Sequence, residues 1–207
     1  MTWIYHITDK KNLPGILTQN GLYSKNKEKE LTSAPVSIAY EGIQQRRAET
    51  EVPIHPFGTL HDYVPFYFAP RSPMLYAIHK RKIEGYTGSQ QDIIYLISKV
   101  QIIETNHIPY IFTDGHAIMA LSEFYNQSSD LDKIDRQILK ETYWNDTEQD
   151  GDRKRRRQAE FLVKDFLPLH LLKGIAVKTI ETETNVKKIL ERYGKILPVQ
   201  VKYEWYY

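Results

Sequence analysis

Short stretches in which every second residue is apolar predict β-strands along much of the chain. The clearest is 199–207, where Val199, Val201, Tyr203 and Trp205 fall at alternate positions. Further strands are predicted at 3–8, 63–69, 92–100, 110–112, 158–163 and 174–180. Apolar residues at helical spacing predict helices at about 10–19, 36–48, 73–82, 117–125 and 181–193, with a shorter one near 131–142.

The order of these elements predicts the fold class. Strands neither alternate regularly with helices nor gather in one half of the chain, which favours an α+β fold with a mixed or antiparallel sheet over a doubly wound parallel sheet. A length of 207 residues is typical of one domain. The polar segments 24–35 and 126–153 predict loops. A loop as long as the second is usually functional when it occurs inside a compact domain.

Several classes of site are excluded by what the sequence lacks. It contains no cysteine, so disulfides, thiolate metal sites and a cysteine nucleophile are ruled out. The 7 histidines show no metal-ligand spacing, and we expect no metal. Glycine-rich phosphate loops and a Gly-x-Ser-x-Gly elbow are also missing. The first residues do not resemble a secretory signal and no apolar stretch could cross a bilayer, so we expect a cytoplasmic protein without membrane contact.

The net charge is only +2, but basic residues cluster at Arg153–Arg157, directly before the predicted strand Gln158–Val163. Five adjacent cations cannot all be buried without partners, so we expect the run to be exposed. The strand period of two places Glu160 and Leu162 on one face. Glu160 is therefore predicted at the margin of an apolar sheet beside a positive surface, where it could stabilise a cationic centre while a polyanion is held nearby. The alternative is a solvated charge run before an edge strand.

Other polar residues are weaker candidates for a site when taken singly. His6 and Thr8 share one face of the first strand, although a single strand histidine is more often structural. Arg46 and Arg47 end a predicted helix and are equally consistent with a solvated face. His116 lies in a predicted turn and is similarly ambiguous. A strand-to-helix turn gathers aromatic and polar residues that could instead be core: Tyr67, Phe68, Arg71, Ser72, Met74 and Tyr76.

The order His, Tyr, Glu resembles the diphtheria-toxin-like branch of the ADP-ribosyltransferase superfamily. Nearly the whole chain resembles one family within it, DarT, the toxins of DarT–DarG toxin–antitoxin systems, which ADP-ribosylate bases of single-stranded DNA. The segments that carry this resemblance are Tyr5–Thr8, Arg46–Arg47, Leu60–Tyr76, Phe112–Ala117 and Arg157–Val163. Arg136 departs from the family pattern, in which we expect tryptophan, and this affects the contacts of its loop rather than the active site.

The resemblance implies a single ADP-ribosyltransferase domain over 1–207, with a mixed or antiparallel split sheet, surrounding helices and a substrate-presenting segment at about 105–157. It implies that the enzyme uses NAD as a substrate and needs no metal. Glu160 would stabilise the ribose cation as nicotinamide leaves, and Arg47 would polarise the acceptor base. The implied NAD contacts are His6, Thr8, Tyr67, Phe68, Arg71, Met74 and Tyr76.

The acceptor implied by the resemblance is single-stranded DNA, commonly at thymidine in a short motif, and a cognate DarG-like antitoxin is implied as a partner. The implied DNA contacts are Arg46, His116, Tyr143, Trp144, Arg153, Lys154, Arg155, Arg156 and Arg157. Transfer to guanosine, RNA or protein remains an alternative, as does a non-catalytic module that binds single strands. Glu160 among apolar neighbours favours an enzyme, because a phosphate-binding surface gains nothing from a carboxylate there.

Overall fold

The computed structural model describes residues 1–29 and 35–207. Its strands are β1 (Trp3–Asp9), β2 (Gly21–Tyr23), β3 (Tyr63–Tyr67), β4 (Ile93–Lys99), β5 (Tyr110–Thr113), β6 (Phe124–Tyr125), β7 (Glu160–Lys164), β8 (Phe166–Pro168), β9 (Gly174–Val177) and β10 (Val199–Val201). Its α-helices are α1 (Leu13–Thr18), α2 (Lys25–Glu28), α3 (Glu41–Glu49), α4 (Pro73–His79), α5 (Val100–Thr105), α6 (Arg153–Arg157) and α7 (Ile180–Arg192). Short 3₁₀ turns join them at Lys10–Asn12, Leu60–Asp62, Ser128–Lys133, Ile138–Lys140, Leu169–Leu171 and Tyr203–Trp205.

Within these described ranges, eight strands form one sheet in the order β10-β9-β4-β1-β3-β7-β5-β6, and β2 pairs with β8 apart from it. β9 and β10 are parallel, whereas the other neighbours in both sheets are antiparallel. The predicted α+β class with a mixed sheet is confirmed.

The sheet divides between β1 and β3. These strands share a single residue pair, Tyr5 with Tyr67, whereas β1 pairs with β4 from Trp3 to Asp9. Pro65 contributes to the division, because proline has no backbone N–H to donate to a neighbouring strand. Its carbonyl instead accepts a hydrogen bond from Nδ1 of His6 at 2.8 Å. The two halves of the sheet therefore separate here and leave a cleft between them.

The strand that carries the candidate carboxylate alternates as predicted. Ala159, Phe161 and Val163 enter the largest apolar core, while Leu162 packs into a smaller cluster on the opposite face. β7 begins at Glu160 rather than at Gln158. Glu160 therefore lies at the start of a strand that is anchored on both faces.

Two predicted helices differ from the structure. The helix predicted at 36–48 is α3, which begins only at Glu41, whereas 36–40 has no regular secondary structure and Ile38 is buried in the core. The helix predicted at 117–125 is wrong. Asp114 accepts a hydrogen bond from the backbone N–H of Glu123, and this returns the chain so that β6 pairs with β5.

Three other boundaries were also missed. The strand predicted at 92–100 is β4, which ends at Lys99, and the helix α5 that follows directly was not predicted. The final strand ends at Val201 and is followed by a 3₁₀ turn. The loop predicted at 24–35 contains α2, which Ser24 caps, and its residues 30–34 lie outside the described residues.

The basic run forms α6, and the prediction that all of it is exposed is wrong. Arg157 is only 5% exposed. Its Nη1 donates to the carbonyls of Ile138 and Leu139, and its Nη2 donates to those of Pro70 and Arg71. Burial is possible because backbone oxygens replace the water that a guanidinium needs.

Aspartates from several segments neutralise two more arginines of α6. Arg155 pairs with Asp114 at 2.8 Å and with Asp152 at 2.7 Å. Arg156 pairs with Asp135, Asp150 and Asp152. These ion pairs fix the polar segment 126–153 against the domain. The buried apolar residues of that segment, Ile134, Ile138 and Leu139, anchor it further.

We expect Arg157→Met to lower the free energy of unfolding by about 3 kcal/mol, because four carbonyls would lose their donor in a buried site. Lys154→Met, one turn away and exposed, should change it by less than about 0.5 kcal/mol. Urea denaturation of both variants measures the difference. Equal stabilities would contradict a structural role for Arg157.

Candidate active site

The Glu160 carboxylate is buried beside the cleft, with 3% of the residue exposed. Its Oε2 accepts a hydrogen bond from Nη1 of Arg47 at 2.8 Å. Its Oε1 accepts from the backbone N–H of Ala117 at 3.0 Å and lies 3.2 Å from Nδ1 of His116. An ionised carboxylate only accepts, so Nδ1 of His116 carries the hydrogen in this contact.

These donors determine the charge of Glu160. Burial alone would raise the pKa of the carboxyl, but the Arg47 guanidinium, His116 and the Ala117 N–H outweigh burial and lower the pKa to about 2. The carboxylate is therefore ionised throughout the neutral range. It supplies a fixed negative charge in a site that excludes most water.

Arg47 reaches this carboxylate from α3 and is itself 7% exposed. Its Nη1 is used by Glu160, but its buried Nη2 has no hydrogen-bond partner among the residues that the structure describes. A buried donor without a partner is costly, and such groups are often completed by a ligand or by ordered water. Arg47 can therefore neutralise Glu160 and bind a ligand oxygen at the same time.

A cavity of about 150 Å³ opens in front of this ion pair. It is lined by His6, Ile7, Ala39, Tyr40, Ile43, Gln44, Arg47, Pro65, Tyr67, Pro73, Met74, His116, Gln158 and Glu160. Tyr67 lies directly opposite Glu160 across the β3–β7 pair. Burial, and then the charge of Glu160, raise the pKa of the Tyr67 hydroxyl, which therefore stays protonated. Tyr67 and Met74 supply an apolar wall suited to a flat ring.

A second cavity of about 250 Å³ adjoins the first at His6 and follows β1 past Thr8. Asn12 also lines it, and its Nδ2 donates to Oγ1 of Thr8 at 2.9 Å. Since the Pro65 carbonyl accepts from Nδ1 of His6, Nε2 of that ring is left as an acceptor. Burial lowers the pKa of His6 and keeps the ring neutral. The two cavities form one elongated cleft with His6 at its middle.

The structure does not bring every predicted NAD contact to this cleft. Phe68 points to the opposite side of the sheet from Tyr67 and packs in the core, 6.1 Å from both Phe112 and Phe161 between ring centres. The reason is that adjacent strand residues face opposite ways. Phe68 therefore lies in the core and not in the cleft, where an NAD contact was expected.

Arg71 and Tyr76 lie outside the cleft as well. Nε of Arg71 donates to the carbonyl of Tyr206 at 3.0 Å. Tyr76 packs on Trp144 and Tyr207, away from Met74. Helix residues two positions apart do not share a face, so Tyr76 cannot line the wall that Met74 lines. Both residues instead fix the C-terminal segment.

The predicted DNA contacts separate into three groups. His116 belongs to the carboxylate site rather than to an outer surface. Trp144 donates from Nε1 to the Tyr207 hydroxyl, while Tyr143 is 82% exposed. Among the cations, Lys154 is exposed and Arg155–Arg157 are paired inward, as described above.

The other two predicted cations, Arg46 and Arg153, bind backbone carbonyls. Nη2 of Arg46 donates to the carbonyl of Ile118 at 3.3 Å. Arg153 binds the carbonyls of Tyr143 and Asn145. Both side chains hold loops beside the site and keep part of their charge toward solvent.

Sequence reasoning missed two residues next to the ion pair. Gln44 lines the cavity one turn before Arg47, and His61 lies 3.2 Å from it between Nε2 and Oε1. The signal for Gln44 was its spacing of three residues from Arg47, which puts both on one helix face. His61 precedes the next strand, and no local pattern connects it to α3.

The structure provides neither a metal cluster nor a membrane helix within residues 1–29 and 35–207. No three histidine, aspartate or glutamate side chains there meet in a group that could hold an ion. None of the helices in these ranges is long and apolar enough to span a bilayer.

The chain is similar to known DNA-modifying enzymes over its full length. A DNA ADP-ribosyl transferase of Thermus aquaticus is 40% identical over 208 residues, which cover 100% of this chain and 89% of the relative. A DNA ADP-ribosyl transferase of Escherichia coli O127:H6 is 32% identical over 206 residues, which cover 99% of this chain and 93% of the relative.

Solved structures agree with these relatives. Thermus sp. 2.9 DarT in complex with ADP-ribosylated ssDNA superposes with a TM-score of 0.93 at 39% identity, covering 100% of this chain and 96% of that one. The same protein in complex with NAD+ superposes with a TM-score of 0.88 at 36% identity, and the match covers 100% of this chain and 98% of that one. The family model described as ssDNA thymidine ADP-ribosyltransferase, DarT, matches residues 5–207. The chain therefore belongs to the DarT family.

Proposed function

We propose that the chain transfers ADP-ribose from NAD to a thymidine base of single-stranded DNA and releases nicotinamide. The observation that carries this is the buried, ionised Glu160, held by Arg47 at the division of the sheet in a chain of the DarT family. A Thermus relative has been solved with NAD+ and with ADP-ribosylated ssDNA, which supports both the donor and the product.

The elongated cleft suits a dinucleotide. We place the nicotinamide riboside half in the first cavity, where Tyr67 and Met74 would contact the flat cationic ring. We place the adenosine half in the second cavity, beside Thr8 and Asn12. His6 lines both cavities, and its acceptor Nε2 could bind a ribose hydroxyl between them.

The chemistry needs a negative charge where the ribose becomes cationic. As the C1′–nicotinamide bond breaks, positive charge develops at the ribose, and the Glu160 carboxylate stabilises it mainly in the transition state. A ring nitrogen of thymine then bonds to C1′ and loses its proton to water. A carboxylate with a pKa of about 2 is a weak base, so we assign Glu160 an electrostatic role. The spare Nη2 of Arg47 could bind a base oxygen and ease that proton loss.

Glu160→Gln should lower kcat about a thousandfold, because the amide keeps the shape but removes the charge. Transfer from labelled NAD to single-stranded DNA, duplex DNA, RNA and protein measures both rate and acceptor. We expect label on single-stranded DNA alone. Label on RNA or protein would keep the donor but refute the acceptor.

The control for this variant is Glu181→Gln, which makes the same change at an exposed position of α7. It should transfer at the wild-type rate. NAD binding by calorimetry shows whether Glu160→Gln remains folded and able to bind. A variant that binds NAD and transfers at the normal rate would overturn the role of Glu160.

The pKa of Glu160 also predicts how stability depends on pH. Its folded-state pKa of about 2 lies below the ordinary 4.5, so the carboxylate stabilises the fold above about pH 4.5, and this contribution is lost as the pH falls toward 2. Glu160→Gln should therefore flatten the stability curve between pH 5 and 2. Urea midpoints measured across this window test it. An unchanged slope would mean that Glu160 does not carry that charge.

We propose that the exposed Arg46, Tyr143 and Lys154, together with the half-buried Arg153, contact DNA phosphates and bases. Arg155–Arg157 would act indirectly by fixing that surface. The Lys154 side chain is about half exposed and has a long contact of 3.5 Å to Asp146, so its charge remains accessible.

Lys154→Met should weaken binding of single-stranded DNA and reduce the slope of log K against log salt by about 0.7, the value for one lost phosphate contact. Lys188→Met removes one exposed charge from α7 and serves as the matched control. Titrations at several salt concentrations measure both slopes. If both variants behave alike, Lys154 does not lie in the interface.

We further propose that the chain acts as a toxin in the cytoplasm, where NAD and DNA are available, and that a DarG-like partner removes the modification. A Thermosipho africanus protein described as a DNA ADP-ribosyl transferase-DNA ADP-ribosyl glycohydrolase fusion is 28% identical over 189 residues, which are 45% of its length. A fusion of this kind supports a paired activity for the shorter chain.

A further inference from the structure

Gln44 presents a polar side chain to the active-site cavity that the mechanism above does not use. It lies on α3 three residues before Arg47, so the two side chains share a face and line the same cavity. A glutamine amide has one end that accepts hydrogen bonds and one that donates them. Its contribution to binding depends on which end faces the cavity.

His61 holds one end of this amide. Its Nε2 lies 3.2 Å from Oε1 of Gln44, and the histidine is only 7% exposed. An amide oxygen accepts and cannot donate, so Nε2 of His61 carries the hydrogen in this contact. Nδ1 of His61 is buried and has no hydrogen-bond partner within the described ranges.

The surroundings of His61 favour this tautomer. Burial, and then the positive charges of Arg47, Lys29 and Lys25, lower the pKa of His61, while Asp62 opposes them. The ring is therefore neutral, with one N–H. In this tautomer Nδ1 carries a lone pair and no hydrogen, which is favourable near positive charges. The other tautomer would bury an N–H group without an acceptor, which proteins rarely do.

The side-chain N–H group of Gln44 is therefore available to donate a hydrogen bond to a ligand. Its Nε2 has no hydrogen bond in the described part of the chain, and it is not closed off from the cavity or solvent as Nη2 of Arg47 is. A flip of the amide would face two N–H groups, those of Gln44 and His61, toward each other. His61 thus locks the amide with its donor end free.

We propose that the Gln44 side-chain amide donates a hydrogen bond to a carbonyl oxygen of the acceptor base, with His61 as the positioning residue that fixes its direction. This rests on the proposed transfer to DNA. Thymine has a carbonyl on each side of its ring N–H, whereas cytosine has an amino group in place of one of them. A fixed donor that binds O4 of thymine would meet the amino group of cytosine with another donor, and this mismatch would discriminate against cytosine.

The experiment replaces the oxygen and the amide in turn. Oligonucleotides with 2-thiothymidine or 4-thiothymidine at the acceptor position substitute sulfur, a weak acceptor, for each carbonyl oxygen. We expect one thio substitution to lower kcat/KM of the wild type about tenfold, near the upper range for one neutral hydrogen bond. In Gln44→Leu the same substitution should have no effect, because its partner is already absent.

Three further variants test the positioning role. Gln45→Leu changes the exposed neighbouring residue of α3 and should retain the full thio effect. His61→Leu should lose most of the effect of the thio substitution on kcat/KM. His61→Gln restores a hydrogen-bond donor and should regain that effect. Thermal melts of each variant show whether a loss of activity comes from unfolding.

The outcomes separate this inference from the proposed function. If the wild type fails to modify the unsubstituted oligonucleotide, the proposed function is wrong. If it modifies DNA but Gln44→Leu keeps the full effect of both thio substitutions, the Gln44 contact is overturned. If Gln44→Leu changes only the KM for NAD, the amide faces nicotinamide and the assignment to the base is wrong.

Discussion

The candidate active site depends on one buried ion pair, between Arg47 and Glu160. The two residues are 113 positions apart, on α3 and at the start of β7, so the contact exists only in the folded chain. A buried pair contributes little net stability, because each ion loses its hydration. Its value is electrostatic: without the guanidinium, burial would favour a protonated carboxyl. The pair keeps a negative charge in an enclosed site before any ligand arrives.

The surrounding fold holds both partners in place. β7 is packed on both faces, while the loop at His116 and Ala117 gives Glu160 two further donors. α6 then fixes the loop from outside, because Arg155 joins Asp114 to Asp152. The basic run that stands out in the sequence therefore serves mainly as a scaffold for the site.

Local patterns explain which features the sequence could predict. Period two placed Glu160 and Leu162 on one face of the strand, and the three residues that the family resemblance singled out, Glu160, Arg47 and His6, line one cavity. The same period separates Phe68 from Tyr67, but the resemblance grouped both residues with the NAD contacts. Hydrogen bonds over long separations also have no local signature, so the burial of Arg157 against distant backbone carbonyls was missed. The link between His61 and Gln44 failed to appear for the same reason.

The division of the sheet at Pro65 has an evolutionary consequence. One backbone N–H that could join β3 to β1 is missing at Pro65, and any other residue at this position would supply it. Such a residue could extend the pairing of β1 with β3, so the more stable protein would have the narrower cleft. Selection for stability and selection for activity would then act in opposite directions at a single position. Pro65 would then keep the stability of the domain below the value that full pairing of β1 with β3 would give, and the width of the cleft would depend on this lower stability.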